Sequence, residues 1–162
     1  MGLTEQAPET AHPAPTPVPA AHHRPALLAA VLLGGVVGTL VRTLLESALP
    51  PGAGAWPWTT FLINVFGSAM LGGLLESLAR RGPDRGLRRL IRLGGGTGVI
   101  GGFTTYSTFA VEADQLALAG RPILAIGYAV GSIAAGLAAA GLAICAARRM
   151  VPHPTPSPGE GR

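Results

Sequence analysis

Four long apolar stretches dominate this chain and restrict what it can fold into. They lie at about residues 26–49, 58–79, 93–119 and 123–147. A helix crosses the hydrocarbon core of a bilayer with roughly 20 mostly apolar residues, and a spanning segment must satisfy its own backbone hydrogen bonds. The sequence therefore predicts an all-α membrane protein with four transmembrane helices.

The composition agrees with lipid as the main surrounding medium. Of the 162 residues, 48% are hydrophobic and only 12% are charged, whereas soluble domains carry about 25% charged residues. The four stretches fill most of residues 26–149, the predicted four-helix transmembrane domain. Too little chain remains for a soluble domain.

Both ends of the chain differ from this membrane part. Residues 1–25 contain six prolines among Ala, Thr and His, and residues 150–162 are also rich in proline. Such segments lack the apolar residues needed for a packed core. We expect both to be disordered tails.

The arginines are distributed unevenly between the two ends of the predicted helices. Six lie in the loop between the second and third stretches, at residues 80–92. With four crossings, this loop and both termini share one side, which then carries ten of the twelve basic residues; only Arg42 and Arg121 lie elsewhere. The positive-inside rule predicts that both termini lie in the cytoplasm. Because the arginines flank apolar spans, nucleic-acid binding is not expected.

The third stretch is unusually rich in glycine. Six glycines fall within nine residues of LGGGTGVIGGFTTYSTF, from Gly94 to Gly102, and each interior glycine costs a helix roughly 1 kcal/mol. A helix break at Gly101 to Thr104 would free backbone carbonyls for a cation, which requires cover by protein or a polar cavity. The alternative is a glycine face that packs closely on a neighbouring helix, as the Gly34 and Gly38 pair in the first stretch also suggests.

Five hydroxyl-bearing residues in a row follow these glycines: Thr104, Thr105, Tyr106, Ser107 and Thr108. They point in several directions around a helix, so some donors should face a wet path or a partner chain. Tyr106 and Phe109 are three residues apart and share a face. Their positively polarised ring edges could line an anion route, or the two could simply be interfacial aromatics.

Isolated polar residues mark the other stretches. Asn64 lies within an apolar helix, where it either joins helices or acts as a pore donor. Arg42 and Glu46 are four residues apart and can form an ion pair. Glu112 and Asp114 follow the polar face of the third stretch, and we expect both to be solvated at its exit.

Three segments resemble the Fluc (CrcB) family of fluoride channels. They are GGVVGTLVR at residues 34–42, TTFLINVFGS at residues 59–68 and GGFTTYSTF at residues 101–109. The resemblance spans about residues 28–147 and implies a fluoride-selective passive channel that exports fluoride across the plasma membrane. It also implies an antiparallel, dual-topology-type dimer with two interfacial pores, in which the third helix of each subunit is broken mid-membrane.

The resemblance assigns roles to particular positions. A structural sodium ion would be held by the main-chain carbonyls of Gly101 and Thr104 in each subunit. The residues that would line the fluoride path are Asn64, Tyr106, Phe109, Ser107, Thr108, Arg42, Glu112 and Tyr128.

Two departures from the family pattern affect these expectations. Relatives usually carry Phe at the position of Tyr106, so the added hydroxyl puts the transport rate in question. The arginine bias is unexpected for a homodimer, because opposed subunits would have to insert in both orientations. A heterodimer with an oppositely oriented paralogue is therefore the hypothesis set against a homodimer.

The main alternative function is a small four-helix transporter that exchanges protons for drugs. It would need a lone carboxylate deep in the first helix, whereas Glu46 lies near the end of that helix beside Arg42. An enzyme is not expected, because no nucleophile and base pair stands out within the spans.

Overall fold

The computed structural model describes residues 25–52 and 54–151, so most of the two predicted tails lies outside the described residues. Within these ranges the chain is helical and contains no strand. The helices are α1 (Pro25–Ala48), α2 (Trp58–Arg80), α3 (Gly86–Ile91), a π-helical segment (Arg92–Ile100), α4 (Gly101–Phe103), α5 (Ser107–Leu118) and α6 (Pro122–Met150).

Three of these helices, α1, α2 and α6, are long and apolar enough to cross a membrane. They correspond to the first, second and fourth predicted stretches. The third stretch does not form one long helix. Helical structure ends at Phe103, resumes at Ser107, and leaves Thr104–Tyr106 between the two parts.

Proline and glycine set several helix boundaries. α1 ends at Ala48, two residues before Pro50 and Pro51, which cannot continue a helix. α6 starts with Pro122 at its first turn, where a missing N–H costs nothing. Between α5 and α6, Gly120 has a φ of 75°, a conformation that favours glycine in a tight reversal.

The π segment packs on α1 through backbone atoms. A Cβ atom on Gly98 would lie 2.8 Å from the Val31 carbonyl oxygen, and one on Gly38 would lie 2.8 Å from the Phe103 nitrogen. Such contacts leave no room for a side chain. The alternative of a closely packed glycine face is therefore what the structure shows for this part of the third stretch.

The predicted position of the break requires a correction. Gly101 has helical φ and ψ angles of −63° and −36°, and the Thr104 N–H still donates to the Ile100 carbonyl at 3.0 Å. The chain leaves the helical conformation only at Thr104, with φ −78° and ψ 155°. The glycines widen the helix into a π form and allow close packing, and they do not interrupt it.

Small residues also join α2 to α6. A Cβ atom on Gly72 would lie 2.8 Å from the Ala140 carbonyl oxygen, and one on Gly136 would lie 3.3 Å from the Ser68 Oγ. In α6, Gly131 instead faces the Trp56 ring, which a Cβ atom would meet at 3.3 Å. Small residues thus let α6 approach both α2 and the loop before it.

A small apolar core lies where α5 and α6 meet the segment that leads into α2. Its buried members are Leu116, Ala125 and Tyr128, surrounded by Trp56, Phe61, Phe109, Ala113 and Leu124. The indole of Trp56 meets the Tyr128 ring edge-on at a centroid distance of 5.4 Å. This core fixes the end of α5 that carries Glu112.

The arginine-rich end of the bundle is partly ordered by carboxylates. Arg92 donates twice to Asp84, at 3.0 and 2.7 Å, and this hydrogen-bonded guanidinium holds the pKa of the Asp84 carboxyl below its usual range. Glu76 lies 3.5 Å from Arg80 and 3.0 Å from Arg148. The second of these ion pairs joins the ends of α2 and α6.

Candidate functional site

The interruption at Thr104–Tyr106 is held by one side chain from α2. Asn64 donates from Nδ2 to the Thr105 carbonyl at 2.8 Å, and its Oδ1 accepts the Thr105 N–H at 2.9 Å. The amide thus replaces the helical partners that both backbone groups lack. Of the two roles predicted for Asn64, the structure shows the joining role, and one N–H of its amide remains for another acceptor.

Some side chains of the hydroxyl run form hydrogen bonds with nearby residues, and others are exposed. The buried Thr105 hydroxyl accepts the Thr108 N–H at 3.2 Å and lies 3.3 Å from the Ser107 hydroxyl, which covers the start of α5. Thr104 donates back to the Ile100 carbonyl at 3.1 Å. The side chains of Tyr106 and Ser107 are exposed. Only part of the run is therefore used inside the chain.

Three aromatic rings form a row beside the interruption. Tyr106 and Phe109 have a centroid distance of 6.1 Å, and Phe109 lies 5.2 Å from Tyr128. Tyr106 is 81% exposed, whereas Tyr128 is fully buried. The row therefore runs from the surface into the interior, with Phe109 at its centre.

A buried carboxylate lies at the inner end of this row. Glu112 is 9% exposed, and its two oxygens accept hydrogen bonds from Thr60 at 2.8 Å and from Tyr128 at 2.7 Å. The expectation that Glu112 is solvated was therefore wrong. It fails because α2 and α6 supply two hydroxyl donors that replace water, while Asp114 on the same helix is exposed as expected.

An open groove of about 340 Å³ runs along the interruption. Five of the predicted site residues line it, together with parts of α2 and α6; these are Asn64, Gly101, Thr104, Tyr106 and Phe109. Arg42, Ser107, Thr108, Glu112 and Tyr128 do not line the groove. The predicted site is thus divided between the groove and its immediate surroundings.

Ser132 of α6 is a groove residue that the sequence reasoning missed. Its hydroxyl is buried, and it has no hydrogen-bond partner among residues 25–52 and 54–151. A buried hydroxyl without a partner is costly, so this donor is suited to a ligand in the groove. The signal was its position four residues after Tyr128, on the same face of α6.

Arg42 lies on the other side of the interruption. It pairs with Glu46 at 3.2 Å, as predicted, and its Nε donates to the Gly102 carbonyl at 3.3 Å. Thr39 also donates to this carbonyl at 3.4 Å. Arg42 therefore contacts the backbone at the end of α4 and lies outside the groove.

The carbonyl of Gly102 accepts hydrogen bonds from side chains of the described residues, but the two carbonyls that were predicted to hold a cation do not. Within the described part of the chain, no N–H or hydroxyl donates to the carbonyls of Gly101 or Thr104. Both residues line the groove. Carbonyl oxygens without donors are the ligand type that hard cations such as Na⁺ accept.

Comparison with known proteins places this arrangement in a family. A sequence model described as "CrcB-like protein, Camphor Resistance (CrcB)" matches residues 29–144, well over half of the chain. The chain belongs to the CrcB family. The match begins within α1, ends within α6, and includes the interruption, the groove and the buried carboxylate.

Individual relatives align with a similar share of the chain. "Fluoride-specific ion channel FluC 2" of Leifsonia xyli subsp. xyli is 53% identical over 128 residues, which is 78% of this chain and 86% of that protein. "Fluoride-specific ion channel FluC 1" of Cutibacterium acnes is 47% identical over 125 residues, 77% of this chain and 87% of that protein.

A more distant member has the same coverage. "Fluoride-specific ion channel FluC 1" of Mycobacterium bovis is 41% identical over 123 residues, which is 76% of this chain and 91% of that protein. Each of these relatives thus aligns with about three quarters of this chain and most of its own length. Membership in the CrcB family and three long apolar helices make this chain a multi-pass membrane protein.

Proposed function

We propose that this chain is a subunit of a fluoride-selective passive channel that exports fluoride across the plasma membrane and lowers cytoplasmic fluoride. The observation that carries this proposal is the likeness to relatives named as fluoride-specific ion channels over most of their lengths. CrcB proteins of this kind are channels and not enzymes.

The chemistry of the groove suits fluoride. Fluoride is small and strongly hydrated, so a selective pore must replace its water with hydrogen-bond donors while binding it weakly enough for release. The groove offers an N–H of Asn64, the hydroxyl of Ser132 and the ring edge of Phe109. Among residues 25–52 and 54–151, no arginine lines the groove, so no guanidinium of this part of the chain would hold the anion too tightly for release.

Export through such a pore needs no energy source of its own. Hydrogen fluoride enters a cell uncharged and dissociates in the less acidic cytoplasm. An inside-negative potential then favours exit of the anion by about 2.3 kcal/mol per 100 mV. A passive and selective pore is therefore sufficient for resistance to fluoride.

We place the pores at the interface of an antiparallel dimer, with the interruption at Thr104–Tyr106 in the middle of the membrane. The groove is open on one side, and Tyr106 is 81% exposed at its edge. A second subunit would cover both. In this arrangement the residues of the fluoride path are Asn64, Tyr106, Phe109, Ser107, Thr108, Arg42, Glu112 and Tyr128.

A structural sodium ion fits the same arrangement. Its ligands would be the carbonyls of Gly101 and Thr104, which receive no hydrogen bond within the described part of the chain. Four such oxygens would meet where two copies approach. The ion would offset the cost of carbonyls left unpaired at membrane depth.

The partner is either a second copy or an oppositely oriented paralogue. Ten of twelve arginines lie on the predicted cytoplasmic side together with both termini, which favours one insertion orientation. We therefore favour the paralogue. Expression of this chain alone tests the point: recovery of a functional homodimer would contradict the heteromeric assembly.

Fluoride efflux from liposomes tests the function itself. The full chain is reconstituted with and without the paralogue, and a fluoride electrode records release down a concentration gradient after a potassium ionophore removes the opposing voltage. We expect passive release of fluoride and little release of chloride. No fluoride release in either preparation would contradict the channel proposal.

The same liposomes separate the channel from a proton-coupled drug transporter. A transporter of that type would accumulate organic cations in response to a pH gradient. Its required lone carboxylate is not found in α1, because Glu46 is paired with Arg42 at 3.2 Å. We expect no proton-driven uptake of such cations.

A further inference from the structure

The arginine-rich end of the bundle carries far more positive than negative charge. Among residues 25–52 and 54–151, eight arginines lie at this end of α2, α6 and the connecting segment, against two carboxylates, Glu76 and Asp84. The arginines are Arg80, Arg81, Arg85, Arg88, Arg89, Arg92, Arg148 and Arg149. We call this surface the arginine end.

The two carboxylates are already used within the chain. Glu76 contacts Arg80 and Arg148, and Asp84 contacts Arg92. Within residues 54–151, neither Arg81 nor Arg85 has a carboxylate partner, and both are exposed. The remaining charge is therefore available to an anionic partner.

One arginine at the arginine end, Arg89, has a buried nitrogen without a hydrogen-bond acceptor in the described part of the chain. The Nε of Arg89 is buried, and no described residue accepts its hydrogen. Beside it, Arg88 folds back over the loop, where it donates to the Pro83 carbonyl at 3.5 Å. Because Nε is enclosed, it is the terminal N–H groups of the half-buried Arg89 that can bind a phosphate oxygen, since guanidinium groups bind phosphate with short, charge-assisted hydrogen bonds.

Apolar side chains accompany these arginines. On α3, Leu87 is 69% exposed, Leu90 is 37% exposed and Ile91 is 40% exposed. A soluble anion or a nucleic acid would leave these side chains in water. The combination of arginines and apolar residues at the end of membrane-crossing helices matches the boundary between headgroups and acyl chains.

We infer that the arginine end is a binding surface for anionic phospholipids, with Arg81, Arg85 and Arg89 at the phosphate and Leu87 among the acyl chains. The inference rests on the membrane placement of the chain and not on its selectivity for fluoride. It goes beyond orientation by the positive-inside rule, because it assigns a lipid headgroup to particular side chains.

Native mass spectrometry of the full chain in detergent tests this inference. Phosphatidylglycerol and phosphatidylcholine with the same acyl chains are titrated, and the bound lipid is counted. We expect phosphatidylglycerol to bind at least about tenfold more tightly. The triple variant Arg81→Gln, Arg85→Gln and Arg89→Gln should lose most of this preference, whereas Arg121→Gln, at the opposite end of the bundle, should retain it.

Equal binding of the two lipids would overturn the inference, as would a triple variant with full preference. If the triple variant does not fold, the single change Arg85→Gln replaces it, because this exposed side chain has no carboxylate partner within residues 54–151. Complete displacement of the lipid by equimolar inorganic phosphate would also overturn it. Leu87→Ser should weaken lipid binding without changing phosphate binding. The readout is bound mass, so failure here is distinct from loss of fluoride flux.

Discussion

The two sides of the interruption at Thr104–Tyr106 pack on their neighbours in different ways. Before it, the π segment and α4 meet α1 through bare backbone. After it, α5 meets α2 and α6 through polar side chains. A Cβ atom on Gly102 would lie 2.5 Å from the Gly35 carbonyl oxygen. By contrast, Glu112 on α5 accepts hydroxyl donors from both neighbouring helices.

The third apolar stretch therefore contains one part that packs rigidly and another part that positions polar groups. Glycine contacts hold the first part rigidly, because two backbones at van der Waals distance cannot slide without collision. In α5, by contrast, polar side chains form hydrogen bonds with a few specific partners on α2 and α6. These bonds give the donors and ring edges of α5 defined directions. Asn64 joins the two parts at Thr105.

The largest expected effect comes from a methyl group in the glycine packing. Gly38→Ala places a Cβ atom 2.8 Å from the Phe103 nitrogen and in collision with the Val99 carbonyl. Because backbone cannot move aside as a flexible side chain does, we expect a loss of about 3 kcal/mol or more of stability. Thermal unfolding in detergent, followed by circular dichroism, measures the effect.

Gly35→Ala is the matched control, since no atom lies within 4 Å of its added Cβ. We expect it to change stability by no more than about 0.5 kcal/mol. Equal effects of the two substitutions would show that the backbone packing is not specific to the Gly38 face.

The next effect tests the joining role of Asn64. Asn64→Ala leaves the N–H and C=O of Thr105 without partners, which should cost about 2–4 kcal/mol. Fluoride flux should fall with it. Wild-type stability in the Ala variant would rule the joining role out.

The buried carboxylate should give a somewhat smaller effect. Tyr128→Phe removes one donor to Glu112 and should cost about 2 kcal/mol, because hydrogen bonds to charged groups are strong. A double-mutant cycle with Glu112→Ala, which removes the acceptor, measures the coupling, which we expect to be at least about 1 kcal/mol. Asp114→Asn, on the exposed side of α5, is the control. Purely additive effects would contradict a specific pairing of Glu112 and Tyr128.

The smallest effect on stability should come from the groove itself. Ser132→Ala removes a hydroxyl without a partner among the described residues, so stability should change by less than about 0.5 kcal/mol or increase. Fluoride flux should nevertheless fall. Ser47→Ala, whose hydroxyl donates to the Thr43 carbonyl of its own helix at 2.8 Å, should leave flux unchanged. Unchanged flux in Ser132→Ala would remove this hydroxyl from the path.

Local features of the sequence predicted much of this architecture. The apolar stretches gave α1, α2 and α6 to within a few residues, and Pro50 and Pro51 marked the end of α1. The ion pair of Arg42 and Glu46 followed from its spacing of four residues. These properties depend on hydrophobicity, length and helical periodicity, which neighbouring residues in one segment determine.

The site depended on partners that lie far apart along the chain. Asn64 bonds to a residue 41 positions away, and Thr60 bonds to Glu112 across 52 positions. No pattern within one segment contains that information. The sequence thus placed Glu112 at a solvated exit, although two distant hydroxyls bury it.

The sequence by itself determined the class of the protein: apolar length and the scarcity of charge require a helical membrane bundle with a polar, glycine-rich third stretch. Only the tertiary structure decided which glycines pack against another helix and which polar groups are paired within the chain. Whether a glycine breaks a helix or packs against another depends on the neighbouring backbone. Whether a hydroxyl or amide is available to an ion depends on which donors and acceptors the fold brings within about 3 Å of it.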